Sequence, residues 1–231
     1  MLISDFDKIY ILHLSNNTDR YVHILNEFKR MNLSDKIDIW WTCKRNISID
    51  IGNNLNSIHT RYYDDFKRYN KDIYAAVFNC AFEHYTIIKT SYERGFNNIM
   101  IFEDDICFIE NREYFDKCIS LIPDNYKICK LYHTNNSLNI CTDFSKSENL
   151  FKKCNNHNKY LTSLSTAAYC LNRIGMELMI NSYHKNFTCA DKVFENIDQN
   201  DIYINTKKII YINPLFESNI RANIYEDFSN K

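Results

Sequence analysis

The chain has 231 residues, 45% hydrophobic and 15% aromatic against 25% charged, enough apolar surface to offset the entropy of ordering the backbone; a disordered or collagen-like protein is excluded. Lys plus Arg total 28 against 29 Asp plus Glu, a formal net charge of -1 with no basic stripe, so nucleic acid is excluded as a default partner. No run approaches the roughly 20 apolar residues of a membrane helix.

The N-terminus, with Asp5 and Asp7 ahead of the first apolar stretch, lacks a signal peptide's basic opening, so the expectation is a soluble cytoplasmic protein. Nine cysteines, an odd number without CxxC or Cys/His ligand spacing, read as reduced thiols, with Cys80, Cys107, Cys118 and Cys170 in apparent core segments. With Gly at 3 and Pro at 2, and Asn, Ile, Lys, Tyr and Phe abundant, the composition carries the bias of AT-rich codons. It suits a giant virus, which would place the protein in host cytoplasm, or an AT-rich microbe. The sequon matches at Asn16, Asn46, Asn135 and Asn186 follow from that bias and carry no weight.

The run Lys8 to Leu14 reads as a buried strand, and Ser15 to Thr18 as a turn. Thr18 or Asp19 can cap a helix with an apolar face of Val22, Leu25, Phe28 and Met31, and a second strand spans Lys36 to Trp41. This is the strand, helix, strand unit of a parallel α/β sheet, whose ligands sit at the carboxyl ends of the strands. Asn46 to Tyr69 reads as a loop with a short helix, and Asp72 to Arg94 as a long helix ended by Gly95. Asn98 to Phe102 is a short buried strand that runs straight into Glu103-Asp104-Asp105.

A helix over Asn111 to Leu121, stopped by Pro123, precedes a strand at Tyr126 to Tyr132. The polar stretch 134–159 reads as a surface insertion or mobile loop. Another strand spans Thr166 to Leu171, and Asn172 caps a helix through Gly175, Leu178, Met179 and Tyr183. Asp191 begins a short helix, and Ile209 to Ile212 is the last strand. Neither an internal repeat nor a Pro/Gly linker interrupts the chain, so residues 1–231 read as a single domain.

Three adjacent carboxylates at the end of a buried strand repel one another and raise one another's pKa unless a cation is present. A hard divalent ion, Mg²⁺ or Mn²⁺, resolves that cost and commonly bridges protein carboxylates to substrate phosphates. Side chains alternate along an extended segment, so Glu103 and Asp105 should project to one side and Asp104 to the other. The competing reading is a solvated acidic turn ahead of the helix at Asn111. A haloacid-dehalogenase-type phosphotransferase requires Asp where Glu103 stands, and a metal nuclease requires a spacing that Asp124 to Lys127 does not supply.

The ordered set of these features resembles glycosyltransferase family 25: the opening strand with Arg20 after its turn, a helix with Cys80 and His84, the Ile-Met-Ile-Phe-Glu-Asp-Asp-Ile strand end, and Ser165-Thr166-Ala167-Ala168-Tyr169 before a helix. The resemblance spans roughly Ile9 to Ile220, with the acidic strand end as its most specific piece. The family's Gly-Cys, two residues, Ser-His pattern is only half kept, because Asn79 and Glu83 stand where Gly and Ser are expected.

The resemblance implies a GT-A type, Rossmann-like nucleotide-sugar fold with a mixed central sheet flanked by helices. It also implies an inverting transfer of a hexose, galactose or glucose, from a UDP-sugar to a glycan or protein hydroxyl. Asp105 and then Asp104 are implied as ligands of Mn²⁺ or Mg²⁺, and Glu103 as a partner of donor ribose or sugar hydroxyls. Leu14, Ser15 and Arg20 are implied to meet the nucleotide. His84 is implied to contact donor or acceptor, or else it is a helix histidine bonding a neighbour. Asp191 is implied as the base that takes the acceptor proton, and its local sequence equally suits a helix N-cap. A catalytically silent glycan-binding or structural protein on the same fold is the alternative.

Overall fold

The computed structural model describes residues 1–42, 71–132 (71–76 as helix backbone), 149–154, 165–185, 187 and 189–216. Its first segment follows the expected order: β1 (Lys8–Leu14), α1 (Thr18–Arg30) and β2 (Ile37–Thr42). After it come α2 (Lys71–Glu93), β3 (Asn98–Glu103), β4 (Ile106–Phe108), α3 (Arg112–Ser120) and β5 (Ile128–Lys130). The chain continues through β6 (Phe151–Lys153), β7 (Ala168–Asn172), α4 (Arg173–Lys185), a 3-10 turn at Lys192–Asn196, β8 (Ile202–Asn205) and β9 (Ile210–Ile212).

Among the described residues, seven strands form one mixed sheet in the order β2-β1-β3-β7-β5-β8-β6, and β4 pairs with β9. The strands β1, β2 and β3 run parallel, whereas β7 lies antiparallel between β3 and β5. That reversal brings the entry of β7 to the exit of β3, and the Glu103 N–H donates to the Ala167 carbonyl at 2.8 Å.

The near-continuous apolar runs of β1 and β3 are explained by burial on both faces of the sheet. Ile9, Ile11, Met100 and Phe102 pack on one face with Ile24 and Phe28 of α1 and Phe115 and Ile119 of α3. Tyr10, Leu12, Ile99 and Ile101 pack on the other with Ile87 and Ile88 of α2 and Met176, Met179 and Tyr183 of α4. The wall behind the acidic strand end is therefore solid, which is what holds three carboxylates at fixed positions.

Several expectations need correcting. The buried stripe of α1 is Ile24, Phe28 and Met31, with Val22 53% exposed, because one face of a 3.6-residue period takes positions i, i+4 and i+7. Its N-cap position is Asn17, one residue before the expected Thr18 or Asp19, without a side-chain cap bond. Within the stretch 134–159, residues 134–148 and 155–159 lie outside the described residues. Residues 149–154 contain edge strand β6, in which Phe151 is buried while Lys152 and Lys153 face out, and Cys154 just after it is buried. The strands β4 and β8 carry no counterpart in the sequence reading; at three and four residues they are too short for a period to show. The expected loop at Asn46 to Tyr69 also lies outside the described residues.

Other expectations hold locally. Gly95 sits at φ +81° and ends α2 through a Phe96 N–H to Ser91 carbonyl bond of 3.2 Å. The Asn172 Oδ1 accepts from the Gly175 N–H at 2.8 Å and so caps α4. Among the described residues the seven cysteines are free; Cys107, Cys118, Cys129, Cys154 and Cys170 are buried, whereas Cys80 and Cys189 are half-buried.

Candidate active site

The acidic strand end leaves extended geometry immediately after Glu103, in a two-residue turn at Asp104 and Asp105. That turn overrides the alternation expected from an extended strand, so Asp104 and Asp105 converge with each other and Glu103 points elsewhere. The guanidinium of Arg20 donates to Asp104 Oδ1 at 2.9 Å and stands 3.1 Å from Asp105 Oδ2. His13 Nδ1 donates to the other Asp104 oxygen at 2.7 Å. Both carboxylates are buried, at 5% and 6% exposure.

Asp104 thus has both oxygens occupied, whereas Asp105 Oδ1 is buried without a hydrogen-bond partner. Burial pushes the Asp105 carboxyl up to about 7; the charges of Glu103 and Asp104 add to the rise, and Arg20 opposes it. A divalent cation beside Oδ1 would supply the missing partner and favour the ionised form. The donor set is all oxygen, which suits Mn²⁺ or Mg²⁺, so the residues present fit such an ion.

Glu103 turns toward α2 and β7. The Thr166 hydroxyl donates to its Oε1 at 2.6 Å, and His84 Nε2 stands 3.5 Å from the same oxygen, a charge contact longer than a hydrogen bond. Burial acts to raise the Glu103 carboxyl, but the His84 and Thr166 interactions outweigh it and hold it below its ordinary value. His84 is wholly buried, and its Nδ1 is bonded to the Tyr169 hydroxyl at 2.8 Å.

Asp191 lies before the 3-10 turn without a side-chain cap bond, so its placement there is not explained by capping. Burial raises its carboxyl, Lys130 opposes the shift, and the charge of Glu103 adds to it, which brings Asp191 into the same electrostatic neighbourhood. Leu14 and Ser15 end the β1 segment, where the Ser15 N–H donates to the Thr42 carbonyl at 2.9 Å; no described contact ties either to the carboxylates. Of the expected site residues, the structure brings Arg20, Asp104 and Asp105 together, with Glu103 and His84 adjoining and Asp191 within their field.

Two buried polar residues were missed. His13 is the single polar side chain inside the β1 apolar run Ile9 to Leu14 apart from Tyr10, and Lys130 is the single charge in Ile128 to Leu131. A buried polar group in an apolar strand is an informative signal, and it was available in the sequence. Lys130 is wholly buried with its Nζ 4.6 Å from the centre of the Phe194 ring, and burial lowers its pKa to about 8. Glu83, one of the two departures from the family pattern, is buried and accepts from Trp40 Nε1 at 2.8 Å.

Among the described residues the architecture is α/β: a seven-stranded mixed sheet flanked by helices, with two carboxylates converging where parallel strands end. The family model for glycosyltransferase family 25 (LPS biosynthesis protein) matches residues 6–198, and the chain belongs to that family. No curated protein matches it by sequence. Among solved structures it is similar to the galactosyltransferase LgtC in complex with donor and acceptor sugar analogs, at 6% identity and a TM-score of 0.47, covering 96% of this chain and 94% of that one. It is also similar to a glycosyltransferase involved in the glycosylation of the major capsid of PBCV-1, at 10% identity and a TM-score of 0.45, covering 96% of this chain and 99% of that one. No helix among the described residues is long and apolar enough to cross a membrane.

Proposed function

We propose that this glycosyltransferase is metal-dependent and inverting, moving a hexose, galactose or glucose, from a UDP-sugar to a hydroxyl of a glycan or protein, and that residues 1–231 act as one domain. The observation that carries the reading is Asp105, a buried carboxylate with one oxygen on Arg20 and the other without a partner. Asp105 is assigned to Mn²⁺ or Mg²⁺. Asp104 remains the second metal ligand in this reading, with His13 and Arg20 each bonded to one of its oxygens and so fixing its position. When bound, the ion neutralises negative charge that grows on the departing diphosphate.

The chain's own groups divide the remaining work. Arg20, held in place by the two aspartates, adds a fixed positive charge beside the strand end for the nucleotide, with Leu14 and Ser15 on the adjoining turn. Glu103 keeps its charge through Thr166 and His84, and as an acceptor it can orient donor ribose or sugar hydroxyls. Asp191 is assigned as the base: its raised pKa moves it toward neutrality, where a carboxylate takes a proton from an acceptor hydroxyl more effectively. Lys130 opposes that rise and favours the ionised form of Asp191. The Glu83 departure is accounted for by its bond to Trp40, which removes one reason to favour the catalytically silent alternative.

A calorimetric titration with UDP, run with Mn²⁺ and again with EDTA, tests the reading without knowledge of the acceptor. Binding that requires Mn²⁺ is expected. Absence of binding in both conditions overturns the UDP-sugar assignment. Asp191→Asn is expected to keep nucleotide binding and lose transfer once an acceptor is in hand.

A further inference from the structure

We propose that Cys80, His84 and Glu103 form a second metal site, separate from the Asp105 position, for an ion of the Zn²⁺ class held by thiolate, imidazole and carboxylate with a fourth position left for water. Cys80 and His84 are four residues apart on α2 and therefore share one face of the helix. Glu103 approaches from the end of β3, and one ligand atom from each of the three lies within 4.8 Å of the others. The His84 Nε2 to Glu103 Oε1 distance of 3.5 Å already matches the spacing of two ligands on a tetrahedral ion with bonds of about 2.0 to 2.3 Å. Only the Cys80 side chain has to close in.

A second observation points independently to a ligand. The His84 side chain is wholly buried, and its Nε2 has no hydrogen-bond partner. Buried ring nitrogens are seldom left in that state without a use. Its Nδ1 is bonded to the Tyr169 hydroxyl at 2.8 Å, which fixes the ring with Nε2 toward the cluster; ion binding would replace the Nε2 contact with Glu103 by an ion shared between the two. Metal-ligating histidines are held in this way by an outer hydrogen bond.

The charges also balance. A divalent ion with one thiolate, one carboxylate and a neutral imidazole sums to zero, which suits a buried place. Without an ion, burial together with the charges of Glu103 and Asp191 keeps the Cys80 thiol protonated; ion binding displaces the Sγ proton to solvent. Sulfur and nitrogen donors select Zn²⁺-class ions, whereas the oxygen donors at Asp105 select Mn²⁺ or Mg²⁺. A four-residue Cys to His interval gives no motif in the sequence and becomes a shared face only on a helix. The ion would tie α2 to the end of β3.

The test is a Co²⁺ titration of the purified full chain. A thiolate-to-Co²⁺ charge-transfer band in the near ultraviolet, with visible bands of a tetrahedral site and loss of both on adding Zn²⁺, is expected. Asp105→Asn should retain the charge-transfer band and Cys80→Ser should lose it. Absence of the band in the folded parent chain, or its persistence in Cys80→Ser, overturns the proposal. Should Cys80→Ser fail to fold, alkylation of the parent chain followed by peptide mass spectrometry decides: Zn²⁺ protects Cys80 if the site exists, and equal labelling with and without Zn²⁺ overturns it. Mn²⁺-dependent UDP binding is a separate readout, so either result can fail alone.

Discussion

Replacing Asp105 with Asn should stabilise the metal-free protein, and the gain should grow as pH rises. The Asp105 carboxyl titrates at about 7 in the fold against an ordinary 3.8, so the folded state holds its proton more tightly than the unfolded chain. A group raised in this way contributes stability that is fully present below the unfolded pKa and is lost as pH climbs through the folded one, here between about pH 4 and 7. At about 1.4 kcal/mol per unit, three units amount to about 4 kcal/mol lost by pH 8, of which somewhat under 2 kcal/mol is already gone at pH 5. Asparagine mimics the protonated acid in shape and loses nothing across that window. Glu103, whose pKa is shifted the other way, is present in both proteins and enters the difference through its charge on Asp105, which is part of that shift.

The gap in stability between variant and parent should therefore widen by about 2 to 3 kcal/mol from pH 5 to pH 8, or roughly 4 to 12 °C in Tm for a chain of this size. Thermal unfolding of both proteins in EDTA at the two pH values measures it. Saturating Mn²⁺ at pH 8 should narrow the gap by favouring the ionised parent. A gap that stays constant with pH, or a variant less stable than the parent at pH 8, would refute the reasoning.

Arg20→Met removes the cation shared by two buried carboxylates and should cost about 3 kcal/mol at neutral pH, read from urea unfolding, with a smaller loss at pH 5 where Asp105 takes its proton. In Gly175→Ala the added Cβ would lie 1.9 Å from the Lys127 carbonyl oxygen, so α4 must move off β5; a loss of about 1 to 3 kcal/mol in thermal unfolding is expected. Trp40→Phe deletes the indole N–H bond to the buried Glu83 carboxylate and should destabilise by about 1.5 to 3 kcal/mol in denaturant, with Mn²⁺-dependent UDP binding retained.

Much of this organisation is legible in the residues. Apolar runs marked β1 and β3, and the long α2 showed its period at Ile87 and Ile88, whereas in α1 the length was legible but the buried face was not. Strands of three or four residues did not, because Ile106–Phe108 or Phe151–Lys153 holds too few positions to distinguish a pleat from a loop. At the site, the residue types at Glu103, Asp104 and Asp105 announced themselves, but their directions did not. A two-residue turn decides which carboxylates converge, and that turn is fixed by Arg20 from α1 and by the Asn213 N–H, which donates to the Asp105 carbonyl at 2.8 Å. Such partners are distant in sequence and leave no local pattern. His13 was hidden for the opposite reason: it sits inside a strand whose hydrophobicity draws the eye past it.

The antiparallel placement of β7 has a consequence for how the protein is made. Strand β3 pairs with β1 on one edge and with β7 on the other. A chain emerging from the ribosome can dock β1, β2 and β3 early, but the second edge of β3 stays bare until Ala168–Asn172 has been synthesised. That bare edge is apolar on both faces, a template for pairing with a neighbouring nascent chain. Thr166, which holds Glu103, arrives on the same late segment. Completing the acidic strand end and sealing the sheet against aggregation are thus one event in the life of the chain.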